Sequence, residues 1–259
     1  MKKLTEYNGK IFTDDMLVEA IQALGVKNGD VLCVHSDTFR LGKPLLSKQE
    51  YMSTLCAIFK QVIGDEGTLI MPAFSYSFCR GQDYDVIKSP STVGALTEAF
   101  RKERDVKRTH HPIFSFAVWG ANKEYYCDVG LDAFGLDSVY GKMIQNGGKI
   151  LFLGANKGYT IYHLAEEHVG VPHRFFKNFS GNIIDEMGSK YHIDVPYYVR
   201  YLDCESSANE GIIEHFLRER SIQEQITYAN GIMSIVDAKE CYEAFVEQLR
   251  GDRSYFVGE

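Results

Sequence analysis

Apolar positions along the chain recur at two spacings. Leu17, Ile21 and Leu24 return every three or four residues behind Thr13-Asp14-Asp15, a run that caps a helix start, and Gly25 stops the pattern. Tyr51, Leu55, Ile58, Phe59 and Val62 do the same behind the capping box Ser47-Lys48-Gln49-Glu50. Between these helices lie short, continuously apolar runs of the buried-strand type: Val31–His35, Thr68–Pro72, Ile113–Gly120 and Lys149–Gly154. Turn residues lead into them, Asn28-Gly29-Asp30, Gly64–Gly67 and Asn146-Gly147-Gly148. Further helices are expected over Ala95–Glu103, over Lys142–Gln145 and from about Thr160. Asn182–Met187 then opens a β-rich stretch. Tyr191–Tyr201 carries β-favouring residues, with Pro196 placing it at an edge or bulge. Glu210–Arg220 reads as a helix, and Ile222–Tyr228 with Ile232–Val236 as a hairpin through Asn230-Gly231. Asp237 caps a last amphipathic helix through Leu249. The alternation predicts one α/β domain over 1–259: three α/β/α layers around a mixed sheet, with a smaller β-rich C-terminal part over 182–236.

Composition narrows the function classes. With 259 residues, 45% hydrophobic and 24% charged, the chain has the make-up of a soluble globular protein. A formal net charge of -7 argues against a general nucleic-acid surface, which needs clustered Lys and Arg. Six cysteines are scattered without CxxC spacing, so free thiols in a reducing cytoplasm are expected. The start MKKLTEYNGK lacks the apolar region of a signal peptide, and no apolar run reaches membrane-span length. Oligomeric state is left open.

Candidate chemistry concentrates in Gly158–Phe179. This segment holds three of the eight histidines, a carboxylate pair and a basic-aromatic run, directly after the Lys149–Gly154 strand and the loop Ala155-Asn156-Lys157-Gly158. Ligands gather at such strand-to-helix turns in open α/β sheets. His163 falls in the first turn of the expected helix with Glu166 three residues on and Glu167 four on. A neutral imidazole held by a carboxylate is the usual general-base arrangement; the plain alternative is a capped helix start in which His163 is merely hydrogen-bonded. Two other polar loops follow or precede regular elements. His35-Ser36-Asp37-Thr38 leaves an apolar strand, as a site loop or an ordinary cap. Ser89-Pro90-Ser91-Thr92-Val93-Gly94 leads into a helix whose free N–H groups suit a phosphate or a polar acyl carrier. The run Phe74-Ser75-Tyr76-Ser77-Phe78 lines a pocket or covers a sheet edge. His110 fits a turn before Pro112, while His111 is open between turn, helper and ligand.

Taken in order, HSD-T, GTLIMPAFS, SPSTVGALTEAFR, RTHHPIFSFAVWG, FGLDSVYGK, ILFLGANKG and the T-I-Y-H-L-A-E helix resemble the aminoglycoside N(3)-acetyltransferase family from about Gly29 to Gly181. The resemblance implies a layered α/β fold unlike the GNAT acetyltransferases and transfer of an acyl group from coenzyme A to a sugar amine. It implies His163 as the base with Glu166 beside it. It places the pantetheine arm and thioester against His35, Ser36, Asp37 and Thr38 and against Ser91, Thr92, Val93 and Gly94. His111 matches the family's HP motif, and Asp137 lies in a loop facing the substrate amine. The acyl cavity would be lined by Phe74, Tyr76 and Phe78. Val169–Gly181 departs from the antibiotic-resistance members and resembles a branch that acylates nucleotide-linked aminodeoxysugars for surface polysaccharide. There His173, Arg174 and Lys177 would hold a pyrophosphate. A nucleotide sugar is therefore the expected substrate and an aminoglycoside the alternative. Two other classes stay in view. A metal hydrolase would use His163 and Glu167 with His110 or His111, although HExxH spacing is absent and no metal is expected; a non-catalytic sugar-binding protein would turn over no acyl-CoA.

Overall fold

The computed structural model describes residues 1–155 and 158–258, so Asn156 and Lys157 of the expected site loop lie outside the described residues. The chain opens with a hairpin, β1 (Lys3–Tyr7) and β2 (Lys10–Thr13), turned at Asn8-Gly9, both of which have positive φ (50° and 74°). Thr13 then caps α1 (Asp14–Ala23), accepting the Met16 N–H. β3 (Val31–Ser36), the short β4 (Lys43–Pro44), α2 (Lys48–Ile63) and β5 (Thr68–Pro72) follow, with Ser47 capping α2 through the Glu50 N–H. β6 (Tyr84–Asp85), α3 (Ala95–Phe100), β7 (Lys107–Arg108), β8 (Phe116–Gly120), α4 (Lys123–Cys127), α5 (Val139–Gln145) and β9 (Lys149–Leu153) complete the first part. The rest comprises α6 (Tyr162–Val169), β10 (Arg174–Ile184), β11 (Lys190–Arg200), α7 (Glu210–Glu219), β12 (Gln223–Tyr228), β13 (Gly231–Asp237) and α8 (Ala238–Gly251).

Seven strands form the central sheet in the order β12-β13-β9-β3-β5-β8-β7. β9, β3 and β5 run parallel, and the flanking pairs are antiparallel, so the sheet is mixed. Strand alternation sorts the side chains into two cores. Leu32, Val34, Leu69, Met71, Leu151 and Leu153 face one way, against Leu17, Leu55, Phe59 and Phe100 of α1, α2 and α3. Cys33, Ile70, Ile150 and Phe152 face the other, against Tyr140, Tyr162, Phe216 and Phe245 of α5, α6, α7 and α8. This is the expected three-layer α/β/α arrangement around a mixed sheet.

Several boundaries differ from the sequence expectation for local physical reasons. β8 begins at Phe116 rather than Ile113 because the Ile113 and Phe114 N–H groups donate to the His111 ring instead of the ladder. α3 stops at Phe100 and tightens into i→i+3 bonds through Glu103. The β structure after α6 begins at Arg174, not Asn182, so the basic-aromatic run is itself a strand. The stretch 182–236 divides between two sheets: β10 lies between β11 and β6 in a small sheet, while β12 and β13 extend the central sheet. Pro196 sits on β11, at the edge of the smaller sheet. The β12–β13 hairpin turns through Ala229-Asn230, with Ala229 at φ 52°, one residue earlier than the Asn-Gly pair suggests.

Candidate active site

The centre of the site is a carboxylate, Glu166. Gly170 ends α6 in the left-handed region (φ 71°) and turns the chain back, so that β10 enters alongside the helix it has just left. That reversal brings His173 and Arg174 onto the Glu166 side chain, which also faces His163 one turn up the helix. Glu166 is fully buried. The His163 Nδ1–H donates to Oε2 at 2.5 Å, and the His173 Nε2–H donates to Oε1 at 2.8 Å. Arg174 Nε lies 2.7 Å from Oε2 as an ion pair, out of line for a hydrogen bond. Burial pushes the carboxyl upward, but His163, His173 and Arg174 together overcome it and hold the group well below the usual carboxylate range. Glu166 is thus an anion at any working pH.

With Nδ1 donating, the open nitrogen of His163 is Nε2, which has no hydrogen-bond partner among the described residues. His163 lines a cavity of about 630 Å³ between α6, the β10–β11 hairpin and the start of α7. Phe175, Phe179, Tyr197 and Tyr201 give it an aromatic wall, Lys177 and Arg200 supply positive charge, and Glu210 contributes a carboxylate. Phe134 packs edge-on to the His163 ring, 5.4 Å between centroids, and fixes its plane.

A second cavity, about 280 Å³, lies at the ends of the parallel strands. It gathers His35, Ser36, Phe74, Tyr76 and Val93 with Thr97, Gly158 and Thr160. Its loops are tied together from behind. Thr92 donates both its N–H and its hydroxyl to the Phe74 carbonyl (2.9 and 3.1 Å), and the Ser91 N–H donates to Glu98 at 2.7 Å. The buried Arg108 guanidinium donates to the Ala73 and Ser89 carbonyls, both at 2.5 Å, stapling the aromatic-serine run to the 89–94 loop. Gly94 approaches the Ser36 carbonyl with φ 150°. Segment 158–163 joins the two cavities: Gly158 and Thr160 border the smaller and His163 the larger.

The remaining expected residues fall elsewhere. His35 shares a hydrogen bond with the buried Tyr140 hydroxyl (2.9 Å) and stacks on Phe152, and burial lowers it to about 4, so it is neutral at pH 7. Asp37 accepts the Phe39 N–H and pairs with Arg40 instead of facing the cavity, and Thr38 is buried below the loop. His111 is buried with both nitrogens occupied: Nδ1 accepts the Ile113 and Phe114 N–H groups and Nε2–H donates to the Leu131 carbonyl. Burial lowers it to about 4, and it holds a turn rather than a ligand. Phe78 packs against Gly181, and Asp137 is exposed ahead of α5, outside both cavities. The pyrophosphate expectation is corrected by geometry: His173 and Arg174 are buried and paired with Glu166, so of the three expected residues only Lys177 is exposed, although Arg174 also borders the larger cavity. Glu167 faces Asp132 and a separate pocket with Phe134 and Tyr242, so the His163–Glu167 pair of the metal reading does not form. Among the described residues no three His, Cys, Asp or Glu side chains converge as a metal group.

Residues 33–250 match the aminoglycoside 3-N-acetyltransferase family. The chain belongs to that family. It is accordingly an N-acyltransferase of the acyl-CoA-dependent type. Among its relatives, aminoglycoside N(3)-acetyltransferase IV of Salmonella sp is 27% identical over 246 residues, spanning 93% of this chain and 88% of the relative. The SPbeta prophage-derived aminoglycoside N(3')-acetyltransferase-like protein YokD of Bacillus subtilis (strain 168) is 29% identical over 211 residues, spanning 72% and 75%. A solved structure, AAC-IIIb in a binary complex with CoASH, superposes with a TM-score of 0.81 at 23% identity, over 93% of this chain and 97% of that one, and shares the fold. Sequence reasoning missed Arg108 and the aromatic wall of β10 and β11. Arg108 stood in the quoted RTHHP run, but no local signal separates a buried arginine from a solvated one.

Proposed function

We propose that the protein transfers an acetyl group from acetyl-CoA to an amine of an aminoglycoside-type amino sugar. The observation that carries this reading is the His163–Glu166 pair, oriented through Nδ1 and opening Nε2 onto a cavity large enough for a sugar. A sugar amine is largely protonated at pH 7, so a group in the site must accept a proton before or as nitrogen attacks. His163 Nε2 takes that proton, directly or through a water. Glu166 keeps the ring in the tautomer that leaves Nε2 free and stabilises the cation that results. The smaller cavity fits the acyl end of a thioester, being narrow and walled by Phe74, Tyr76 and Val93, with Ser36 and the Gly94 backbone at its edge. Acetyl-CoA, when bound there, supplies the acyl group with a thiolate leaving group. The proton that His163 accepted is then available to that thiolate.

Both cavities contribute to the choice of substrate. The relatives are named as aminoglycoside acetyltransferases, and the basic residues that favoured a nucleotide sugar are mostly engaged with Glu166. The test is thiol release from acetyl-CoA with a panel of aminoglycosides and a panel of dTDP- or UDP-linked aminosugars, each product weighed. An aminoglycoside gaining one acetyl group is the expected result. Turnover confined to the nucleotide sugars would overturn the substrate assignment, and silence from both panels would overturn the donor.

A further inference from the structure

We propose that Arg174, with His173, sets the pH range over which His163 works as a base, by acting on the carboxylate that all three share. This rests on the reading of His163 as the base. A carboxylate that faces only an imidazole favours the imidazolium, because protonation completes an ion pair, and burial strengthens that bias. A base held in that state cannot accept the substrate's proton. Glu166 is not left alone with His163: Oε2 meets the permanent charge of Arg174 at 2.7 Å as well as the His163 Nδ1–H at 2.5 Å. The guanidinium neutralises much of the carboxylate's field and sits beside the ring that would become cationic. The hydrogen bond therefore orients the imidazole without holding it protonated. His173 saturates the other oxygen and keeps the carboxylate from rotating away.

The arrangement is specific to the chain reversal at Gly170. Arg174 is buried, and its Nη1 donates to the Tyr198 carbonyl at 3.1 Å, so the guanidinium is anchored independently of Glu166. Other titratable groups face the pair from each side: Tyr162 on the same helix, Tyr197 and Tyr198 on β11, and Lys177, Arg200 and Glu210 across the cavity. None of these supplies a cationic contact to Glu166. Arg200 is bonded to Ser206, and Glu210 accepts the Gly158 N–H at 3.2 Å. Arg174 borders the larger cavity, but its Nε is turned to Glu166 and its Nη1 to the Tyr198 carbonyl, so it acts through His163 as a positioning residue.

The test is the pH dependence of kcat/KM for the wild type, Arg174→Gln and Arg174→Lys. Loss of the charge moves the acid limb to higher pH by about one to two units, the usual effect of a close charge. Arg174→Lys, which keeps the charge, returns the limb toward the wild-type position. A uniform loss at every pH with the limb unmoved would mean that Arg174 only supports the fold, and would overturn the proposal. Should Arg174→Gln not fold, the wild type still decides through its histidine ¹⁵N resonances. His163 with Nε2 unprotonated at pH 7 supports the proposal, and an imidazolium there overturns it. His163→Ala separates the two layers of argument. If it leaves kcat/KM unchanged, the base assignment fails; if it abolishes turnover while Arg174→Gln leaves the limb in place, only the tuning fails.

Discussion

On one face of the central sheet, α1, α2 and α3 pack leucines, isoleucines and phenylalanines against the strands, with valine, methionine and tyrosine among them. On the other face, α5 to α8 cover an equally apolar sheet surface, but α6 brings a glutamate and a histidine into the packed layer, where they meet His173 and Arg174 at the start of β10. The difference is one of partners. An apolar residue such as Leu55 is stabilised by any close-packed neighbour, whereas buried Glu166 requires specific donors at specific distances. One face can therefore be repacked with little consequence for chemistry. On the other, a contact around Glu166 cannot change without disturbing a charge.

The sharpest way to probe that contrast is His163→Ala. It should lower kcat/KM about 10²- to 10⁴-fold, the usual range for a lost general base, with circular dichroism unchanged and melting lowered only by the one donor that buried Glu166 loses. The ring is partly exposed, so its loss leaves no large cavity. An equally large loss of stability would show that the two faces are not separable. Next in size is Leu55→Ala on the apolar face, where the side chain is fully buried. It should cost about 2–5 kcal/mol in denaturant unfolding, with kcat/KM of the folded protein within about two-fold of wild type.

The smallest effect tests a second acid on α6. Burial raises Glu167, and the neighbouring Asp132 carboxyl adds to the shift, bringing it to about 8. An acid that holds its proton more tightly folded than unfolded reduces stability as pH rises from the ordinary carboxylate range to about 8, and costs nothing below that range. Glu167→Gln should therefore melt higher than wild type at pH 8, by roughly 2–4 °C after allowance for its partial exposure, and level with it near pH 4. A constant gap at all pH values would sink the assignment.

The elements were legible wherever a local signal decided them. Caps at Thr13, Ser47 and Asp237, the apolar runs of β3, β5 and β9, and the His163–Glu166 spacing all act within a few residues, and each appears where the pattern put it. The N-terminal hairpin is equally local, since Asn8-Gly9 is a strong turn signal. What the residues alone could not convey was which distant groups share a partner. The run His173-Arg174-Phe175-Phe176-Lys177 looks the same whether it meets a pyrophosphate or a carboxylate seven residues back. Only the turn at Gly170 and the pairing of β10 with β11 point His173 and Arg174 inward to Glu166. His111 and Arg108 follow the same logic: their donors and acceptors come from the 131 and 73–89 loops, brought close by folding. Helix and strand follow from periodicity along the chain. The ionic environment of the site follows from burial and from contacts between segments, which exist only in the folded molecule.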